Sequence, residues 1–89
     1  MPRYFFNVHD GIRLTDHIGV ELFDLEAAKR HAVEVSGQLL SAHPDVFWQG
    51  DEWSLDVRDA RDLILFTLHF TAMMAPAVQS STRDGTGKH

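Results

Sequence analysis

Three segments of the chain alternate between apolar and polar residues, which is the pattern of a β-strand with one face against a core. The first covers residues 3–9, the second residues 52–58 and the third residues 63–70. The third segment is apolar on both sides over its first half. We therefore expect it to be central in a sheet or to be paired across a dimer.

The turn that follows the first strand is marked by Asp10-Gly11, because glycine accepts a positive φ without steric cost. Ile12 and Leu14 then predict a short return strand, so that residues 4–14 form a β-hairpin. Farther along, Gly19 marks a turn or bulge, and the apolar residues that follow it are expected to add a short strand or to enter the core. Asp59-Ala60-Arg61-Asp62 is predicted to be the polar turn of a second hairpin.

A helix is predicted over about residues 25–43, where small and apolar residues recur at spacings of three and four. Asp24 is the expected N-cap, and Pro44 ends the helix near His43. Gly37 costs about 1 kcal/mol in a helix interior, so we expect it either to permit close packing or to mark a kink. The stripe that should face the sheet consists of Leu25, Ala28, Ala32, Val35, Leu39 and Ala42.

The order of hairpin, helix and hairpin predicts an α+β domain. We expect an antiparallel sheet of about four strands with one amphipathic helix packed on one face. Residues 1–74 should form this single domain, residues 44–51 a loop within it, and residues 75–89 a disordered C-terminal tail, which has no apolar residue from Gln79 onward. A chain of this size buries only about 60% of its unfolded surface, which makes self-association a natural way to bury more.

Composition excludes several classes of function. The net charge is −5 and no basic cluster is present, so nucleic-acid binding is not expected. There is no cysteine, hence no disulfide, thiolate metal site or thiol redox chemistry. No stretch reaches the roughly 20 apolar residues of a membrane span, and the N-terminal segment lacks the apolar region of a signal peptide. We therefore expect a cytoplasmic protein that has no cofactor and does not bind membranes.

Several short motifs together resemble a known family. They are the opening Pro2-Arg3-Tyr4-Phe5-Phe6-Asn7-Val8, the Asp10-Gly11 turn, the Asp16…Gly19-Val20-Glu21-Leu22 segment, the helix start Asp24-Leu25-Glu26-Ala27-Ala28 and the later Val57-Arg58-Asp59. The chain is similar over about residues 2–72 to a family of small alphaproteobacterial proteins, a domain of unknown function. The resemblance implies a compact α+β domain and supplies no catalytic residue. Such proteins often have a glycine near residues 60–62, which this chain lacks.

The pattern of short strands followed by an alanine-bearing helix is also similar to antitoxin domains of the HicB kind. This resemblance implies a regulator that binds a partner protein or DNA.

Candidate chemistry is sparse. The best metal hypothesis joins His9 and Asp10 to Asp16 and His17 across the first hairpin, since imidazole and carboxylate groups bind divalent ions. Solvated turn residues are the simpler interpretation of the same four positions. Carboxylate pairs near the turns, such as Asp56 with Asp59, could serve acid–base chemistry, but aspartates in turns usually accept hydrogen bonds from their own backbone. We predict no catalytic residue and no metal ligand.

The aromatic residues favour a protein–protein surface, because aromatics are enriched in interfaces. The candidate interface residues are Phe5, Phe47, Trp48, Leu63 and Leu65. The first hypothesis is thus a non-enzymatic interaction module that forms a homodimer. The alternatives are an antitoxin-like regulator and a small metal-binding protein.

Overall fold

The computed structural model describes residues 1–77 of the chain. The elements follow the predicted order, with the short return strand, a short strand after Gly19 as one of the two alternatives there, and one short helix that was not predicted. They are β1 (Arg3–His9), β2 (Arg13–Leu14), β3 (Val20–Glu21), α1 (Leu25–Ala42), α2 (Pro44–Gly50), β4 (Glu52–Arg58) and β5 (Ile64–Thr71).

The strands form one antiparallel sheet in the order β2-β1-β4-β5, and β3 pairs with the same strand β1. The predicted α+β architecture is therefore confirmed, with five strands in the described part of the chain. β1 and β4 occupy the centre of the sheet. Of the two alternatives expected for residues 63–70, the central position is wrong, because β5 pairs only with β4 and ends the sheet formed by the described residues.

The core lies between α1 and the two central strands. Each central strand directs alternate side chains toward the helix, as the sequence pattern predicts. Opposite them, the helix contributes small residues, and their size allows its backbone to approach the sheet. The buried residues of the core are Tyr4, Phe6, Val8, Ala28, Ala32, Trp53, Leu55 and Val57, and Ser36 is buried beside them.

Helix α1 begins where its cap predicts, because the Asp24 carboxylate accepts a hydrogen bond from the Ala27 N–H at 2.9 Å. The predicted stripe is buried only in its middle. Leu25 and Ala42 at its two ends are exposed. Close packing does not explain Gly37, since a Cβ at this position would meet no atom within 4 Å.

The first hairpin has a longer loop than the sequence predicts. His9 pairs with Arg13, so the loop contains Asp10, Gly11 and Ile12 instead of a two-residue turn. The Asp10 N–H donates to the Ile12 carbonyl at 3.2 Å, and Ile12 itself lies outside the return strand. β2 is consequently only two residues long.

Residues 44–51 are not a loop. Pro44 occupies the first turn of α2, where its missing N–H costs nothing, and the helix runs to Gly50. Asp51 then takes a left-handed conformation with φ 59° and its N–H donates to the Phe47 carbonyl at 2.7 Å. A proline that ends one helix therefore also begins the next.

β5 contains a bulge that changes which residues share a face. Val57 pairs with Phe66 but Arg58 pairs with Ile64, which leaves Leu65 as the extra residue. Strict alternation along residues 63–70 is therefore interrupted at Leu65. Of the predicted C-terminal tail, residues 78–89 lie outside the described residues.

Candidate functional site

Strand β5 presents an apolar edge to solvent. Ile64 is 54% exposed, Leu65 40% and Phe70 38%, and Leu63 beside them is 54% exposed. No Asp, Glu, Lys or Arg occurs between Asp62 and Arg83. Large exposed apolar side chains that adjoin one another are a feature of interaction surfaces, whereas single ones are not informative.

One hydrogen bond shows which backbone N–H and C=O groups of β5 face β4 and which point to the free edge. The Ala72 N–H donates to the Asp51 carbonyl at 3.0 Å, which extends the register in which Thr71 pairs with Glu52. Backbone direction alternates along a strand, so Phe70 and Leu68 face β4 in the same way. The N–H and C=O groups of the odd-numbered residues that follow the bulge point to the free edge: Thr67, His69 and Thr71.

The opposite edge of the sheet is closed. β2 and β3 are two residues each, carry Arg13 and Glu21, and both pair with the outer side of β1. Between them Asp16 accepts from the Phe6 N–H at 3.1 Å, which replaces the strand acceptor missing at that point. Short strands, charged residues and covering loops are the usual protection of sheet edges, and within residues 1–77 β5 has only the bulge near its start.

Asp16 also orders the loop that covers this closed edge. Its carboxylate accepts from the Ile18 N–H at 3.0 Å and the Gly19 N–H at 2.9 Å, and its own N–H donates to Asn7 Oδ1 at 2.9 Å. Burial raises the pKa of Asp16, but the three backbone hydrogen bonds and nearby His17 outweigh burial and hold that pKa below its ordinary value.

Gly19 is required in this loop, because a positive φ is costly for any residue with a Cβ. Its φ is +77°, and a Cβ there would lie 2.8 Å from Arg3 Cγ and 2.9 Å from the Phe5 ring. The Asp16…Gly19 motif is therefore structural.

Two apolar clefts adjoin β5, one near each end of the strand. The first, of about 410 Å³, lies beside the start of α1 and is lined by Tyr4, Leu25, Ala60 and Leu65 together with the charged residues Arg3, Asp59 and Arg61. The second, of about 250 Å³, is lined by Leu40, Pro44, Phe47, Trp48 and Phe70.

The predicted interface residues fall in two places. Leu63 and Leu65 lie at the start of β5, while Phe47 and Trp48 line the cleft beside its end. Trp48 is 55% exposed, whereas Phe47 is half-buried against the core and contacts Trp48 edge to face at 5.4 Å. Phe5 lies on β1, two strands away from β5, and packs beside Gly19.

Sequence reasoning missed Ile64, Phe70, Met73 and Met74 as exposed apolar residues on or next to β5. The uncharged run after Asp62 is the signal that could have identified them.

The sheet face opposite α1 carries a polar cluster around Asp56, which is 9% exposed. Thr67 Oγ1 donates to this carboxylate at 3.2 Å, His9 Nε2 lies 3.4 Å from it and Arg58 Nη2 3.5 Å from it. The Asp59 carboxylate accepts hydrogen bonds from other groups, the N–H groups of Arg61 and Leu63. The pKa of Asp59 is lowered, first by the hydrogen bond from the Leu63 N–H and, after a smaller opposing effect of desolvation, by the bond from the Arg61 N–H and the nearby Arg61 charge. The two carboxylates therefore have different partners.

The structure does not support the hypothesis of a metal site. Within residues 1–77, no group of three or more His, Asp or Glu side chains is arranged to hold an ion. Asp16 is occupied by backbone N–H groups, and His9 faces Asp56 on the sheet. Over the same residues, neither helix combines the length and apolar character required to cross a membrane.

Comparison with known proteins gives one match. A search of curated proteins and a search of solved structures found no match to the chain. The sequence model of a family described as a domain of unknown function, DUF6894, matches residues 3–71, which span every strand and both helices. The chain belongs to the DUF6894 family.

Proposed function

We propose that this domain is a non-enzymatic protein-interaction module that self-associates, and that β5 of one copy pairs with β5 of a second copy. The single observation that carries the proposal is the difference between the two edges of the sheet. One edge is closed by short strands and by Asp16, and the other is a strand of eight residues with exposed apolar side chains.

A second copy of the chain suits this edge for two reasons. The net charge of −5 disfavours association of two copies wherever charged surfaces meet, but residues 63–82, which include β5, carry no Asp, Glu, Lys or Arg. In addition, an antiparallel strand pair is its own complement under a twofold axis.

The pairing has a defined register. Opposite residues in one continuous sheet must point to the same face, so the numbers of paired residues must add to an even value. The twofold axis therefore passes through Thr67 or Leu68, which lie at the middle of β5. With Leu68 on the axis, Phe66 lies opposite the partner's Phe70, and the helices of both copies lie on the same side of the combined sheet.

The test uses His69, whose backbone N–H points to the free edge. His69→Pro removes this N–H and introduces a ring at the edge, a change that an edge strand tolerates when the N–H does not pair within its own sheet. His69→Ala is the matched control because it removes the same side chain and keeps the N–H. Sedimentation equilibrium at roughly 10–100 µM, an order-of-magnitude range for such interfaces, measures the mass of each protein.

We expect wild type and His69→Ala to be dimers, and His69→Pro to be a monomer with an unchanged far-ultraviolet circular dichroism spectrum. Thr71→Pro, which alters the end of the same edge, should also be a monomer and provides a second variant if His69→Pro does not fold. A monomeric wild type, or dimers of both proline variants, would overturn the proposal. A monomer would also leave the edge to be covered by the chain's own residues or by another protein.

A further inference from the structure

The pairing of two β5 strands alone buries little surface. Eight residues at about 3.4 Å each, in a sheet about 10 Å thick, present roughly 300 Å² to the other copy. A standard stable interface buries about 800 Å² on each partner. If the dimer forms as proposed, additional surface beside β5 must be covered.

The segment after β5 and the cleft beside the start of α1 are both uncovered. Met73 is 91% exposed and Met74 46% exposed, although methionine side chains are apolar. The first cleft is lined mainly by apolar surface, and Leu25 and Leu65 on its walls are 45% and 40% exposed. Within one copy these two features are far apart, because β5 separates Leu65 from Ala72 by about 24 Å.

In the proposed dimer, antiparallel pairing of the two β5 strands brings the segment after β5 of one copy close to the cleft of the other copy. With Leu68 on the twofold axis and Leu65 as the extra residue of the bulge, Ile64 lies opposite the partner's Thr71, and the next residues of the partner pass the turn at Ala60 and Arg61. With Thr67 on the axis, the partner's segment is displaced by two residues along the same path. In both registers the partner's residues 73 and 74 follow this path past the turn, and Ala60 and Arg61 of the turn line the first cleft together with Leu25 and Leu65.

We infer that the 410 Å³ cleft beside the start of α1 is the binding site for residues 72–74 of a second copy of this chain. This inference rests on the proposed dimer and specifies what its partner contributes. Methionine suits an open apolar cleft because its unbranched side chain adapts to irregular surfaces. Residues 72–74 of each copy bind in the cleft of the other copy, so the contact occurs twice in the dimer.

The chain contains no cysteine, so introduced cysteine pairs report this contact without interference. The variant is Leu25→Cys combined with Met74→Cys. A disulfide requires Cα atoms within about 7 Å, which the two positions cannot reach inside one copy. The matched control is Val33→Cys combined with Met74→Cys, because Val33 is an exposed apolar residue of the same helix but lies away from the cleft.

The proteins are equilibrated in a glutathione redox buffer and separated on denaturing gels without reductant. We expect most of the Leu25/Met74 variant to migrate as a covalent dimer, with a crosslinking equilibrium at least tenfold above that of the Val33/Met74 control and of either single-cysteine variant. Equal crosslinking of the two pairs overturns the inference.

Sedimentation of the same proteins under reducing conditions distinguishes the two possible failures. A dimer without the Leu25–Met74 crosslink overturns the assignment of the cleft and leaves the pairing of β5 intact. A monomer overturns both.

Discussion

Asp16 stabilises the closed edge of the sheet because its carboxylate accepts three backbone hydrogen bonds. The donors are the N–H groups of Phe6, Ile18 and Gly19. Hydrogen bonds to a charged acceptor contribute more than neutral ones, and the Phe6 N–H would lose its acceptor in a partly buried position. The residue that resembles a metal ligand in the sequence therefore has a structural role.

Replacing Asp16 by alanine should lower the free energy of unfolding by about 2–3 kcal/mol. Urea denaturation at pH 7 and one fixed protein concentration measures this change. The control is Asp10→Ala, since the Asp10 carboxylate accepts one long hydrogen bond, from the Ile12 N–H at 3.4 Å. This substitution in the turn should alter stability by less than about 0.5 kcal/mol. Equal effects of the two substitutions would contradict the role of Asp16.

The pH dependence of stability provides a second test of the Asp16→Ala variant. The folded-state pKa of Asp16 lies below the ordinary 3.8, so its carboxylate contributes full stability well above that pH. The contribution is lost as the pH falls through the folded-state pKa. Asp16→Ala should therefore show a weaker loss of stability on acidification than wild type.

The turn between β4 and β5 also depends on single residues. Asp62 takes a positive φ of 67°. Glycine adopts this left-handed conformation most easily, and aspartate tolerates it. The Arg58 guanidinium binds the Asp62 carboxylate at 3.1 Å across the turn.

Substitution of Gly37 should stabilise helix α1. Gly37 lies in the helix interior, is exposed, and has open space where a Cβ would be. Gly37→Ala should raise the free energy of unfolding by about 0.5–1 kcal/mol, because alanine reduces the freedom of the unfolded chain.

Gly19→Ala is the contrasting variant in the same denaturation experiment. It should destabilise the protein, since the backbone at this position has a positive φ and the added Cβ would contact Arg3 and Phe5. If Gly37→Ala lowered stability as well, the assignment of residue 37 to an open helix surface would be incorrect.

Elements with a strong local pattern were predictable from the sequence. Alternation placed β1 and β4, and the Asp24 cap with the small-residue repeat placed α1. The errors arose where tertiary pairing decides the structure. Pro44 can end a helix or begin one, and sequence alone does not show that α2 will pack beside β4. The bulge at Leu65 depends on the register with β4, which apolar residues on both sides of the strand do not specify.

At the scale of the whole molecule, the two edges of the sheet differ: short strands and Asp16 close one edge, and β5 forms the other. A doubly apolar strand favours either a central position or a partner in another copy, and the structure places β5 at an edge. The sequence could identify Leu63 and Leu65 because both lie in the predicted strand itself. It could not show that Trp48 would lie beside Phe70, or that Phe5 would lie on a different strand away from β5, because these positions follow from strand order.

The central claim is that β5 is paired in the assembled protein, and amide hydrogen exchange of individual residues tests it most directly. The N–H groups of Thr67, His69 and Thr71 point away from β4, while those of Leu68 and Phe70 point toward it. We expect all five amides to be protected at high protein concentration, and the first three to lose protection on dilution while the other two keep it. Rapid exchange of Thr67, His69 and Thr71 at every concentration, with Leu68 and Phe70 protected, would contradict the account.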